Sequence, residues 1–273
     1  GELFVKHSLG PGAVSAANEI VKNVQAAQRF SLHRMPWLSP AAKKEALAKL
    51  DNMKVQVGHP KKFNQYKDVT FTSIFVDNGI AAQKNAVAMS MALISEPVDR
   101  ERWPASTSAV AVNVFFADEI NTLFVPAGIL QAPFFSPSYT QARNYGSIGA
   151  IIAQEMTHAF DNQGHLYDKD SVLKSWWSKD DEKAFKHRAD CVAGLYAGFE
   201  QAQGDDVSQT LTIRENVADV AGVSLSYHAL FKEKGDLGWA KYSGGPGGGK
   251  QTKGQKQLFF VSWGQTWCER TRA

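Results

Sequence analysis

A predominantly helical α+β fold, with one β-hairpin set beside a buried helix, is what this sequence predicts. Three observations lead there. Ile148, Ile151, Ile152, Met156 and Ala159 recur at the spacing of a buried helix face. Val110, Val112 and Val114 alternate with Ala and Asn, and after A-D-E-I-N the chain returns through Thr122 to Val125, which reads as a strand pair. Residues 13–30, 40–53, 176–202 and 211–231 carry helical patterning.

In chain order, Ala16, Ile20, Val24 and Ala27 give the first helix one apolar face, and Pro36 breaks the pattern. Ser39 is placed to cap a second helix, with Pro40 at its first position and its end near Met53. Its lysines read as a solvated face, and Val57 to Pro60 as a turn. A helix is expected from Ile80 to about Leu93, with its methionines as core filler. Glu96 to Trp103 is a connector turning at Pro97. The hairpin follows, its edge facing the cleft beside the central helix. Trp176 to Ala202 has Ser178 and Asp180 as capping candidates, and His165 before it reads as a loop residue. In Leu211 to Phe231, Glu215 and Asp219 lie four apart and share a face. Ser243 to Gly254 is too rich in Gly to order itself and reads as a flexible loop. Leu258 to Trp267 reads as a buried helix.

The chain has 273 residues, long enough for one large domain or two small ones. With 44% hydrophobic and 21% charged residues it has the composition of a soluble globular protein. A net charge of +3, scattered along the chain, gives no reason to expect nucleic acid as a partner. No apolar run approaches the ~20 residues that span a bilayer, and the sequence from Gly1 lacks a signal-peptide pattern and reads as an internal starting point. Cys191 and Cys268 are too few for a disulfide framework.

The chemistry is concentrated in Gln154, Glu155 and His158. Positions four apart on a helix share a face, so Q-E-M-T-H has the layout of H-E-x-x-H, in which two His nitrogens bind zinc and the intervening Glu is the general base. Here the first His is Gln154. Taken alone the pattern recurs by chance in many helices. Its context is more specific: F-V-P-A-G-I-L-Q-A-P-F-F from Phe124, N-Y-G-S-I-G from Asn144, W-W at Trp176 and R-E-N-V-A-D from Arg214.

In these segments, and in that order, the chain resembles the neprilysin family of zinc metallopeptidases. The resemblance covers nearly the whole chain but only the later part of a family member. It implies a zincin-like, thermolysin-like fold, with residues 1–100 continuing the family's helical region and linker, and residues 101–273 a peptidase domain truncated at its C-terminus. Carried over residue by residue, His158 and Glu215 are zinc ligands, Glu155 is the catalytic base, and Asp219 holds a ligand His from behind. Asp161 is a further outer group. Asn113, with Val114 where the family has Ala, would bind the backbone of a peptide substrate as an added strand does. Cys191 and Cys268 align with cysteines that pair with segments outside this chain in extracellular relatives; two reduced thiols are the alternative. Relatives are usually extracellular or lumenal, but the compartment of this chain stays open.

A catalytic zinc needs three protein ligands and an open position for water. Gln154 offers only a neutral amide oxygen, so zinc binding is expected to be weak or absent. Family members also carry a His and an Arg beyond the segment Trp267 to Arg272, and without them oxyanion stabilisation of ~2.7–4 kcal/mol is expected to be missing. The expected function is therefore a neprilysin-like domain with lost or severely weakened peptide hydrolysis, acting as a binding or structural subunit toward other protein subunits or the rest of its parent chain. The alternative is an active zinc endopeptidase, with the missing groups supplied by another segment. For a metal-free site, Gln154 is expected to hydrogen-bond Glu215 or Glu155. His158 is expected to be protonated and paired with a carboxylate, its pKa above the unfolded ~6.5.

Overall fold

The computed structural model of the chain describes residues 1–63, 66, 69–104, 107–203, 209–231 and 252–268. Helices α1 (Glu2–Ser8), α2 (Ala13–Arg34) and α3 (Pro40–Asn52) lead into strand β1 (Lys54–Gly58). Helix α4 (Phe75–Ala92) follows, then β2 (Phe115–Ala117) and β3 (Thr122–Pro126). Residues 141–160 form one continuous helical run: α5 (Gln141–Asn144), a π-turn over Tyr145–Gly149, α6 (Ala150–Thr157) and a 3-10 turn over His158–Phe160. Helices α7 (Lys179–Gln203), α8 (Gln209–Phe231) and α9 (Lys253–Thr266) complete the described chain.

Local chemistry accounts for several boundaries. Ser39 Oγ accepts from Ala42 N at 3.3 Å and caps α3, with Pro40 in the first turn where its missing N–H is no loss. Thr252 and Gln255 form a reciprocal capping box at the head of α9, so the end of the expected loop is helix; residues 243–251 lie outside the described residues. Ser178 caps α7 with Asp181 rather than Asp180 as its partner, and the helix starts at Lys179 rather than Trp176.

The sheet has the order β1-β3-β2. β3 is central and buried along its length, parallel to β1 (Lys54↔Thr122) and antiparallel to β2 (Phe116↔Leu123). Covered on every side, it reads T-L-F-V-P with no alternation. β2 and β3 are the expected hairpin, shorter than expected. Val110 and Val112 belong to no strand and are exposed, because alternation makes a strand only where a partner edge exists. Val57 and Gly58, expected at the start of a turn, instead end β1, since a parallel partner so far along the chain leaves no local signal.

The core is continuous from Ala13 to Phe259, and the side chains of α2 and α3 belong to the same cluster as those of α6. At the centre, Ile148, Ile152 and Met156 are fully buried, each contributing roughly 1.5–3 kcal/mol over an exposed position. α8 crosses α6 with almost no gap: a Cβ on Gly222 would lie 2.7 Å from the backbone N of Gln154. At Gly146 a Cβ would meet Phe259 O of α9 at 2.2 Å. Neither site accepts a side chain without separating the helices.

Other burial expectations are corrected. Lys49 is 0% exposed and donates to the carbonyls of Gly164 and Tyr167 at 2.6 and 2.9 Å, so it clamps the loop after α6 instead of lying on a solvated face. His165 is buried and stacks on Trp177, centroids 4.2 Å apart. Met89 and Met91 are exposed, and α4 has no buried residue. α9 buries only Phe259 and Ser262, while Phe260 and Val261 are exposed, because its apolar residues surround the helix and one stripe packs.

Gly222→Ala is expected to destabilise the protein by roughly 1–3 kcal/mol, the usual cost of overpacking a tight contact. Denaturant unfolding checks it; a change within ±0.5 kcal/mol, typical of neutral surface sites, would contradict the close approach of α8 to α6.

Candidate functional site

The site forms where the end of α6, the β2 edge and the first described turns of α8 meet. β2 is an edge strand, and its Phe116 N–H points out of the sheet and donates to Glu155 Oε2 at 3.0 Å. The hairpin thus lies beside the central helix, as expected. Burial raises the Glu155 carboxyl, with His158 and the Phe116 bond opposing, and it comes to about 7.

Three residues on, His158 is buried and held from behind. Asp161 has a side chain with 0% exposure. Its Oδ2 accepts from His158 Nδ1 at 2.7 Å and Arg214 Nε at 2.6 Å, and its Oδ1 accepts from the backbone N–H groups of Gln163 and Gly164, both at 2.8 Å. Burial by itself would raise the Asp161 pKa, but the His158 bond and Arg214 outweigh it and hold the carboxyl below its ordinary range. An ionised carboxylate only accepts, so Nδ1 carries a proton and Nε2 faces the cleft. Burial lowers the His158 pKa, yet the Asp161 bond and the Glu155 and Asp161 charges raise it overall.

Nε2 of His158 stands 3.3 Å from Glu215 Oε2. Gln154 Nε2 donates to the same Glu215 oxygen at 3.4 Å, a long bond. The Gln154–Glu215 bond and the pairing of His158 with a carboxylate are the expected contacts, with Asp161 the nearest carboxylate to His158. Arg214, next to Glu215, also donates to Asp118 Oδ2 at 3.1 Å in the hairpin turn and to Gln163 Oε1 at 2.9 Å. It therefore ties α8 to the hairpin and to the loop after α6. Sequence reading missed Arg214, Asp118 and Lys49 as site residues, although Arg214 opens the R-E-N-V-A-D segment itself.

One expected contact is not made. Asp219 makes no bond to His158; that position is filled by Asp161, and Asp219 Oδ1 is buried without a partner. Val114 is 0% exposed and packs in the core, so its side chain cannot touch a peptide. Asn113 is exposed just before β2.

The donor set can be tested against zinc. Bonds of 2.0–2.2 Å in a tetrahedral site put neighbouring donors about 3.3–3.6 Å apart. His158 and Glu215 stand at that separation, and the Gln154 amide nitrogen lies 3.4 Å from the same Glu215 oxygen. Two strong donors are in place and the third is an amide. Among the described residues no group of three His, Cys, Asp or Glu side chains is gathered to hold a metal ion.

Known proteins resemble the chain over nearly its whole length. The family model described as peptidase family M13 matches residues 113–273, and the companion model for the family's N-terminal part matches residues 1–60. Membrane metallo-endopeptidase-like 1 of Mus musculus is 31% identical over 286 residues, covering 98% of this chain and 36% of the relative. Endothelin-converting enzyme 1 of Homo sapiens is 31% identical over 280 residues, 98% of this chain and 35% of the relative. The chain thus spans about a third of the length of these relatives. Among solved structures, the zinc metalloprotease Zmp1 of Mycobacterium tuberculosis with an inhibitor superposes with a TM-score of 0.81 at 30% identity, covering 97% of this chain and 40% of that one. PepO from Lactobacillus rhamnosis HN001 gives 0.77 at 30% identity, covering 99% and 40%.

Glu155 yields a pH prediction. With its folded pKa near 7 and an ordinary value of 4.5, the folded state keeps a proton that the unfolded chain releases. Stability from this group is therefore greatest below the ordinary value and falls as pH rises toward 7. Glu155→Gln is expected to stabilise the protein at pH 8 by on the order of 1–3 kcal/mol and to change it little at pH 4. A stability difference independent of pH, read from unfolding curves at both values, would contradict the assignment.

Proposed function

The chain belongs to peptidase family M13 and carries a neprilysin-like metallopeptidase domain, and on that premise we propose that its zinc-dependent hydrolysis is lost or severely weakened. Gln154 carries this reading: it stands where the zinc-helix pattern has its first His, and its amide donates to Glu215. Losing a partner behind a ligand already costs ~10–100-fold in metal affinity or activity, and an imidazole ligand should count for more. Among the described residues His158 and Glu215 are the strong ligands of this set, and Asp161 steadies His158. The cleft then serves to bind rather than to cut. Its occupant is an extended peptide along the β2 edge, with Asn113 on the approach, or another segment of the parent protein.

One observation favours a second reading, a working endopeptidase completed by another segment of the protein. Glu155 is retained, and a carboxyl brought to about 7 is suited to act as general base near neutral pH.

Zinc stoichiometry separates the two. After dialysis against a mild chelator, the purified protein is expected to hold well under one zinc per chain by atomic absorption and to leave a quenched fluorescent peptide uncut. One retained zinc per chain, with cleavage abolished by Glu155→Gln, would establish the endopeptidase instead.

A further inference from the structure

A cavity of about 230 Å³ lies behind the end of α6, bounded by the α2–α3 connection, α7 and α8. None of Gln154, Glu155, His158 or Glu215 lines it, so it is separate from the cleft described above. Its aromatic part is a cluster of Trp37, Trp177 and Phe185, with ring centroids 5.0 to 5.9 Å apart and no two planes parallel. From α8 come the shorter Val217, Ala221 and Leu225, and their small volume leaves the space unfilled.

The interior offers a ligand little but hydrocarbon. Thr157 Oγ1 donates to Ala153 O at 2.8 Å, and the Asp161 carboxylate is taken up by His158, Arg214 and two backbone N–H groups. The unpaired Gln28 Oε1 and Trp177 Nε1 are themselves buried and show the cavity no surface. An apolar cavity of ~150 Å³ stays dry and holds benzene, so this one has room for a body of roughly eight to ten carbon atoms. Rings that already meet edge to face favour an aryl group among such bodies.

The edge of the cavity carries a cation. Arg188 lines it and is exposed, with its guanidinium carbon 5.6 Å from the centre of the Trp37 ring. Its Nη1 donates to Ala184 O at 3.0 Å, which holds the fork in place without exhausting its donors. The nearby Asp190 is paired with Lys186, and among the described residues no carboxylate pairs with Arg188.

We propose that this cavity binds a small apolar acid, an aryl or branched-alkyl body bearing one carboxylate. The body rests against Trp37, Trp177 and Phe185, and the carboxylate sits on the Arg188 fork. Guanidinium and carboxylate match through two parallel N–H···O bonds, so the head fixes which end of the ligand enters. The site does not depend on whether the chain binds zinc or cuts peptides.

NMR titration of the assigned indole signals tests this, with hydrocinnamate, its neutral amide and acetate as probes. Hydrocinnamate is expected to bind once per chain, shifting Trp37 and Trp177 saturably and leaving Trp263 and Trp267 unmoved. The amide is expected to bind about 3- to 30-fold more weakly. Acetate, which has the head without the body, is expected to leave every signal in place. Arg188→Gln, at an exposed position, should weaken hydrocinnamate by the same factor and leave the amide unaffected. Val192→Phe fills the cavity from α7 and should abolish binding of both, with a circular dichroism spectrum matching the unsubstituted protein to show that it folds. Equal affinity for the acid and its amide, unchanged affinity in the Arg188→Gln protein, or no saturable shift at Trp37 and Trp177 would overturn the proposal.

Discussion

A carboxylate with no exposure to water, that of Asp161, is what the site depends on. It accepts four hydrogen bonds, from His158, Arg214 and two backbone N–H groups of its own loop. Through them the end of the central helix, the loop that follows and the start of α8 take one geometry. Arg214 extends the same connection to Asp118 in the hairpin turn, and Lys49 closes the loop from α3 by holding the carbonyls of Gly164 and Tyr167. A buried ion pair is weak evidence for net stability, because removing charges from water costs about as much as their attraction returns. Its effect here is positional. His158 is turned so that Nε2 faces Glu215, and this holds with two strong donors rather than three.

The framework around that point is apolar and tight. Gly222 lets α8 lie against the backbone of α6 at Gln154, so Glu215 and Asp219 are carried on a helix that has little freedom to slide. The π-turn at Tyr145–Gly149 sits just upstream, where Gly146 admits the backbone of α9. Changing one side chain at position 154 therefore leaves the scaffold undisturbed, as expected where the fold is set by close backbone contacts and the chemistry by the groups that project from them.

Much of this was legible in the sequence. The periodicity of Ile148 to Ala159, the Ser39-Pro40 start of α3, and the shared face of Glu215 and Asp219 are local signals, and local signals survive folding. The segments shared with the neprilysin family marked His158, Glu155 and Glu215, and the structure gathers them. What could not be read depends on distant partners. β1 is a strand because β3 lies beside it, whereas Val110 and Val112 alternate with no edge to join. Lys49 looks like any exposed lysine until two loop carbonyls converge on it, and His165 until Trp177 stacks on its ring. That Asp161 rather than Asp219 steadies His158 is a matter of which side of the imidazole each helix reaches. The exposed face of α9 follows from geometry as well, since a helix apolar all round can bury only the side that meets a neighbour.

The claim at the centre of this account is that one side chain separates a preorganised scaffold from a zinc site, and calorimetric titration of zinc into the Gln154→His protein tests it most directly. The account predicts a single site per chain, bound at least ~10–100-fold more tightly than by the unsubstituted protein. An isotherm indistinguishable from that of the unsubstituted protein would show that His158 and Glu215 are not poised as ligands, and would contradict it.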